Sequence, residues 1–283
     1  MIAVALAGVA GLVAGSVLLA LSHELLVHPV LQRENHRGHR LPTAMGLILV
    51  VALVAVEGAR ALGWVVGVGR PAVAPARMLV LVAVVGFGFL GAVDDLLGDE
   101  RDRGLRGHLG ALVRGRLSTG MVKLAGGAAF ALVLAAVTGA GRGQALVDGA
   151  LVALAANLGN LLDRAPGRTA KWALVAYVPI ALAAGGAPVG SAAAALVGVT
   201  AALLWGDLRE RFMLGDAGAN ALGAGLGMAV VLAVSGSVRC VVAGVLLALT
   251  LASEVVSFSR VIERVPPLRA FDRLGRLGPG GHR

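Results

Sequence analysis

The stretch Met78-Leu-Val-Leu-Val-Ala-Val-Val-Gly-Phe-Gly-Phe-Leu-Gly-Ala-Val-Asp94-Asp95 decides the fold class. Everything before its last two residues is apolar, and its length falls in the range of about 17–25 residues that a membrane-spanning helix needs. It ends on two adjacent carboxylates, each of which costs roughly 2.5–3.5 kcal/mol at bilayer depth. Read outward, the pattern recurs at 2–22, 43–59, 121–139, 145–162, 171–186, 189–205, 218–236 and 238–258, which makes nine expected spans with 78–95. The run 61–69 is too short and contains Gly63, Gly67 and Gly69, so it is expected in a connector.

Composition agrees. Hydrophobic residues make up 58% of the 283 residues, charged residues 14%, and the mean hydropathy is +0.86. Soluble domains carry about 25% charge, so a water-soluble globule and a disordered chain are excluded. Cys240 is the only cysteine, which excludes an intrachain disulfide scaffold. The net charge of +9 does not mark a nucleic-acid binder, because the basic residues sit in short connectors rather than in one patch. Arginine outnumbers lysine 23 to 2, which reads as the codon bias of a GC-rich genome. Glycines are scattered through the spans, as close helix packing in lipid favours.

Orientation follows from the connectors. With the N-terminus outside, the inside connectors (23–42, 96–123, 163–171, 206–217 and 259–283) hold twenty Lys and Arg residues, and the outside ones hold five. That asymmetry predicts an N-terminus outside and a C-terminus in the cytoplasm. No Lys or Arg precedes the first span, so it reads as a retained helix rather than a signal peptide. The expectation is an all-α polytopic bundle, a single integral membrane domain over 1–283 with a basic cytoplasmic tail at 259–283.

The acids are more informative. Asp94 and Asp95 end the third span, Asp163 ends the fifth and Asp216 opens the eighth, so all lie at one face of this topology. Span ends often carry polar residues, which is the plainer explanation. Against it, adjacent like charges need something cationic beside them. Asn157, Asn160 and Asp163 follow one another at i,i+3, neighbouring positions on a helix. Such amide and carboxylate oxygens suit Mg²⁺, with Lys123, Arg164, Arg168 and Lys171 near enough in sequence to meet phosphates.

Taken together, these motifs resemble those of the polyprenyl-phosphate N-acetylhexosamine-1-phosphate transferase superfamily (MraY/WecA-like, glycosyltransferase family 4). The resemblance runs from about Pro42 to Asp272. Pro42-Thr43-Ala-Met-Gly46 resembles the family's P-T-M-G-G, Asp94-Asp95 its paired aspartates, and Lys123-Leu-Ala-Gly126 its K-L-x-G. Asn157-x-x-Asn160-x-x-Asp163 resembles N-x-x-N-x-x-D, and Gly215-Asp216-Ala-Gly218 resembles G-D-T-G. The resemblance implies a phospho-sugar transferase: a polyprenyl phosphate attacks the β-phosphate of a UDP-sugar and UMP leaves, for cell-envelope glycan synthesis at the plasma membrane.

Carried over, Asp94 and Asp95 would be catalytic, preparing or positioning the attacking phosphate. Lys123 would steady the diphosphate, Asn157 and Asp163 would line the nucleotide side, and Asn160 and Asp216 would ligate Mg²⁺. Arg264 and Arg269 lie in the loop tied to substrate recognition. The implied partners are the UDP-sugar donor, the polyprenyl-phosphate acceptor and membrane lipids, with no nucleic acid; a homodimer is compatible with the sequence.

The chain departs from the family at several points. Pro166 stands where relatives often have a second Asp, and Ala217 and Ala219 replace two hydroxyl residues. Pro267-Leu268-Arg269-Ala270-Phe271-Asp272 lacks the histidines of P-L-H-H-H-F-E, and the family's tenth span has no counterpart. These departures motivate an alternative, a catalytically silent relative that binds lipid carriers or recruits envelope-assembly proteins. A transporter using Asp94, Asp163 and Asp216 as a relay is disfavoured, because transport sites lie near the bilayer midplane.

Smaller signals have plainer explanations. His23 and His28 are five apart, not the four of a zinc-binding helix face. The basic stretch 101–116 reads as an inside loop, with Arg106, His108 or Arg114 as candidates for reaching donor phosphates. Glu254, inside the ninth span, is expected to pair with Arg260 or Arg264.

Overall fold

A helix satisfies its own backbone hydrogen bonds, so apolar runs of bilayer length fold as helices once water is excluded. The computed structural model describes residues 1–35, 37–68, 74–98, 110, 113–116 and 118–278. Its helices are α1 (Ile2–Leu21), α2 (His23–Val27), α3 (Gly46–Val65), α4 (Pro75–Leu97), α5 (Thr119–Val137) and α6 (Arg142–Leu162). They continue with α7 (Arg168–Ala184), α8 (Pro188–Leu208), α9 (Gly215–Ala233), α10 (Gly236–Val255), α11 (Phe258–Arg264) and α12 (Pro266–Arg273). Eight of these are long and apolar enough to cross a membrane. The protein is an all-α polytopic membrane bundle.

The ninth expected span is α7, 17 residues long with Pro179 inside it. Connectivity makes it cross as well. Its N-cap, Gly167, donates its N–H to Asp207 near the end of α8 (3.0 Å). The turn after its other end reaches the start of α1, where a side chain at Gly190 would meet both Gly185 and Val4. The rest of the apolar surface also belongs in lipid: Phe89 is 65% exposed and Leu182 80%.

One expectation is corrected. Residues 61–65, expected in a connector, form the last turns of α3, and Gly63 does not end it. There Leu62, Trp64 and Val65 are exposed, so these turns add lipid-facing length rather than core. The first connector, in turn, is not all loop. Gln32–Glu34 and Arg40–Pro42 form an antiparallel hairpin, with Arg33 opposite Leu41.

Hydrophobic burial cannot drive helix association inside lipid, so packing comes from backbones that approach closely. The Ala/Gly-rich α9 is the hub of that packing. A Cβ on Gly91 of α4 would strike the Asp216 carbonyl, one on Gly159 of α6 the Ala219 carbonyl, and one on Gly46 of α3 the Gly218 backbone. On the other side, Gly11 of α1 lies against the Ala195 carbonyl of α8. Gly91→Val is therefore expected to lower the melting temperature in detergent, by about 1–3 kcal/mol of stability. Gly58→Val, where nothing lies within 4 Å, should leave it unchanged. Equal melting of the two variants would contradict this packing.

Helix α10 is different, because none of its residues is buried. It leans on α6 through Arg239–Asp148 (2.6 Å) and through a hydrogen bond from Asn157 to Thr250 (3.3 Å). Glu254 is exposed and pairs with neither Arg260 nor Arg264, contrary to expectation. It lies one residue from the end of a helix with no fully buried residue, where an acid reaches the interface without a partner among the described residues.

Candidate functional site at one end of the bundle

Successive spans alternate in direction, so the C-terminal ends of α4, α6 and α8 meet the N-terminal ends of α5, α7 and α9 at one face. Lys123 stands in the first turns of α5. Its ammonium lies 2.6 Å from an Asp94 carboxylate oxygen at the end of α4 and makes a second ion pair with Asp216 in the first turn of α9. Asn160, in the last turn of α6, completes the group. With its amide assigned in the orientation that satisfies both ends, its nitrogen donates to Asp216 Oδ1 (2.6 Å) and its oxygen accepts from Lys123 Nζ (3.2 Å). Four helix ends thus converge on one ammonium. The side chains of Lys123, Asp94 and Asp216 keep 16%, 17% and 26% of their surface accessible, so a ligand can reach them.

Adjacent helical residues point about 100° apart, and the two aspartates of α4 have different partners. Asp95 accepts hydrogen bonds from the backbone N–H of Asp216 (3.0 Å) and Ala217 (2.9 Å). These are among the four N–H groups that a helix start leaves unsatisfied. Asp95 thus caps α9 from another helix, and the approach is tight. Gly215 has φ +71°, and a side chain there would meet Asp95 Oδ2 at 2.7 Å and the Ala44 nitrogen at 2.8 Å. Glycine tolerates both the backbone conformation and the crowding.

The expected triad on α6 is not gathered at one point. Each i,i+3 step turns about 60° around the helix, so the three residues fan out. Asn160 joins the cluster, Asn157 turns to Thr250 of α10, and Asp163 faces Thr169 at 3.4 Å. Burial, reinforced by the carboxylates of Asp207, Asp216 and Asp95, pushes the Asp163 carboxyl well above its ordinary range.

The basic residues also divide. Arg168 and Lys171 are buried and face the C-terminal segment rather than a phosphate site. Arg168 binds Asp272 through two hydrogen bonds (2.8 and 3.0 Å) and Ser259 of α11 through a third (2.9 Å). Arg276 reaches the same carboxylate at 2.5 Å and the Pro166 carbonyl at 2.8 Å. Lys171 donates to the carbonyls of Phe271, Asp272 and Leu274, while Trp172 stacks edge-on against Phe271. Asp272 remains ionised below the usual carboxylate range, because Arg168 and its neighbours outweigh the burial. This latch was not expected from the sequence; its partners are about a hundred residues apart, and no local motif marks them.

Arg264 and Arg269 are exposed and are not brought into the cluster. Arg114 is exposed as well, whereas Arg106 and His108 lie outside the described residues. The hairpin covers the flank. Arg33 donates to the carbonyls of Asp95 and Leu96 at the end of α4 (3.3 and 3.2 Å), and Asn35 donates to Glu210 beyond α8 (3.0 Å).

No group of three His, Cys, Asp or Glu side chains suited to a metal occurs among the described residues. What the site does offer is oxygen from two carboxylates and one amide, around a point where an ammonium already sits. That donor set is hard and all-oxygen, the kind Mg²⁺ accepts alongside water and phosphate, and Lys123 marks the position as one that holds a cation. Asp94, Asp216 and Asn160 therefore fit the metal that the motif resemblance implies. No family model matches the chain, and no curated protein matches it.

Proposed function

We propose that this protein is a phospho-sugar transferase of the MraY/WecA-like kind, moving a sugar-1-phosphate from a UDP-sugar to a polyprenyl phosphate and releasing UMP. The convergence of Asp94, Lys123, Asn160 and Asp216 from four helix ends carries this reading. The same four residues belong to the motifs that resemble the family. Phosphoryl transfer is mostly positioning and charge neutralisation, and this is a cation-holding site at a membrane face, where a lipid phosphate and a soluble nucleotide can meet.

In this reading Asp94, Asp216 and Asn160 would hold Mg²⁺. When bound, the ion would offset negative charge on the diphosphate as it transfers. Lys123 supplies a second positive charge for the same oxygens. Asp95 is a positioning residue, since both of its oxygens hold the start of α9 and so fix Asp216. The acceptor phosphate is already ionised near neutral pH, so no strong base is required of Asp94. The twenty-to-five bias of basic residues supports a cytoplasmic site at the plasma membrane, with the N-terminus outside.

The test is UMP release by purified protein with undecaprenyl phosphate and a panel of UDP-sugars, with and without Mg²⁺. Release that requires both metal and lipid is the expected result. If folded protein releases no UMP from any donor, the transferase reading is wrong.

A further inference from the structure

We propose that the Lys123 ammonium is the resident counter-ion of Asp94 and Asp216 and that a divalent cation binds by displacing it, freeing Lys123 to turn to an anionic ligand. This rests on the proposed function only for the identity of the metal. A lysine held by two carboxylates and the Asn160 amide oxygen occupies the point those oxygens share. A divalent ion ligated by the same oxygens at about 2.0–2.1 Å cannot coexist there with an ammonium bonded to them.

Among the described residues, neither carboxylate has another cation bonded to it. Without metal, then, Lys123 is what keeps two partly buried acids from facing each other uncompensated. The exchange conserves protons. Lys123 leaves as an ammonium, and the ion takes up the oxygens it vacates. A positive side chain released beside a newly bound cation is repelled by it and drawn towards phosphate. The site would thus bind its metal and expose its phosphate-holding lysine in a single step.

The chain has two lysines, so amine chemistry reads this exchange cleanly. Wild-type protein in detergent would be pulse-acylated across a Mg²⁺ or Mn²⁺ titration, without substrate, and the two lysine peptides quantified by mass spectrometry. Lys171, buried on three carbonyls, is the internal reference. Mn²⁺ binding would be followed in parallel by electron paramagnetic resonance.

Acylation of Lys123 is expected to rise several-fold, half-maximal at the Mn²⁺ dissociation constant, with Lys171 unchanged. In Asp216→Asn the response should vanish. Lys123→Ala should bind Mn²⁺ roughly tenfold tighter or more, since removing a competing charge is worth at least about one pK unit.

Several results would overturn the proposal: no Mn²⁺ binding, binding that leaves Lys123 labelling flat, a response that survives in Asp216→Asn, or unchanged or weaker binding by Lys123→Ala. None of these readouts requires turnover. An exchange seen without UMP release would support the proposal and count against the transferase reading alone.

Discussion

Asp216→Asn is expected to lower Mg²⁺-dependent UMP release by about 10²–10³-fold or more, the usual cost of removing one preorganised charge from a transferring group. Asparagine keeps the shape of the side chain but gives up the charge that pairs with Lys123. Asp94→Asn should behave similarly. Asp95→Asn is the informative contrast, because Asp95 spends its two oxygens on the N–H groups of Asp216 and Ala217. Asparagine retains one acceptor and is a good helix cap, so this variant should lose far less activity and show its effect in thermal stability. Parallel UMP-release and melting measurements on the three proteins check this. If Asp95→Asn were the most damaging to turnover and neutral in melting, Asp95 would be a reacting group and its capping role incidental.

The second large effect is expected on stability. Asp272→Ala removes the one carboxylate on which Arg168 and Arg276 converge, with Lys171 beside them. Breaking a buried pair from one side costs roughly 3–5 kcal/mol, because the partner's charge remains without compensation. The variant should melt well below wild type in detergent, and trypsin should cleave around Arg269 and Arg273 under conditions that spare the native tail. The pH dependence has a definite sign. The folded Asp272 carboxyl titrates below its ordinary 3.8, so its contribution is full above that value and is lost as pH falls through the folded pKa. The tail should therefore detach on acidification and not on alkalinisation through neutral pH. Wild-type melting and protease resistance in Asp272→Ala would refute the latch.

How much of this was legible in the sequence varied with the kind of information. Bilayer thickness sets a length scale that apolar runs display directly, so the spans were readable, with most boundaries shifted by a few residues. The run 61–69 is too short and too rich in glycine to read as a span of its own, whereas the lipid-facing turns that extend α3 need only apolar side chains. One shared face for the acids was readable from alternation alone. The azimuth of each side chain was not. Asp94 and Asp95 look equivalent in sequence, yet one faces an ammonium and the other a helix start. Asn157 and Asp163 keep their expected spacing but lean towards α10 and Thr169. Arg168 and Lys171 looked like phosphate ligands because they are basic and near the motifs. Their partners, Asp272 and the carbonyls after it, become neighbours only when the chain returns from its last span.

The loose seat of α10 also bears on the order in which the chain assembles. A helix with no fully buried residue gains little by docking early, so the eight spans before it can reach their final arrangement while it is still free in the bilayer. It is then fastened by Arg239 to Asp148 near one surface, by the Asn157–Thr250 hydrogen bond further along and, through α11 and α12, by Asp272 near the other. In mechanical terms α10 is a beam pinned near both ends, whose middle rests on the bundle through the half-buried side chains of Val242, Ala243 and Leu246. Bending of such a beam would shift its contacts with α6 while the carboxylate cluster, none of whose four side chains is bonded to α10, stays still.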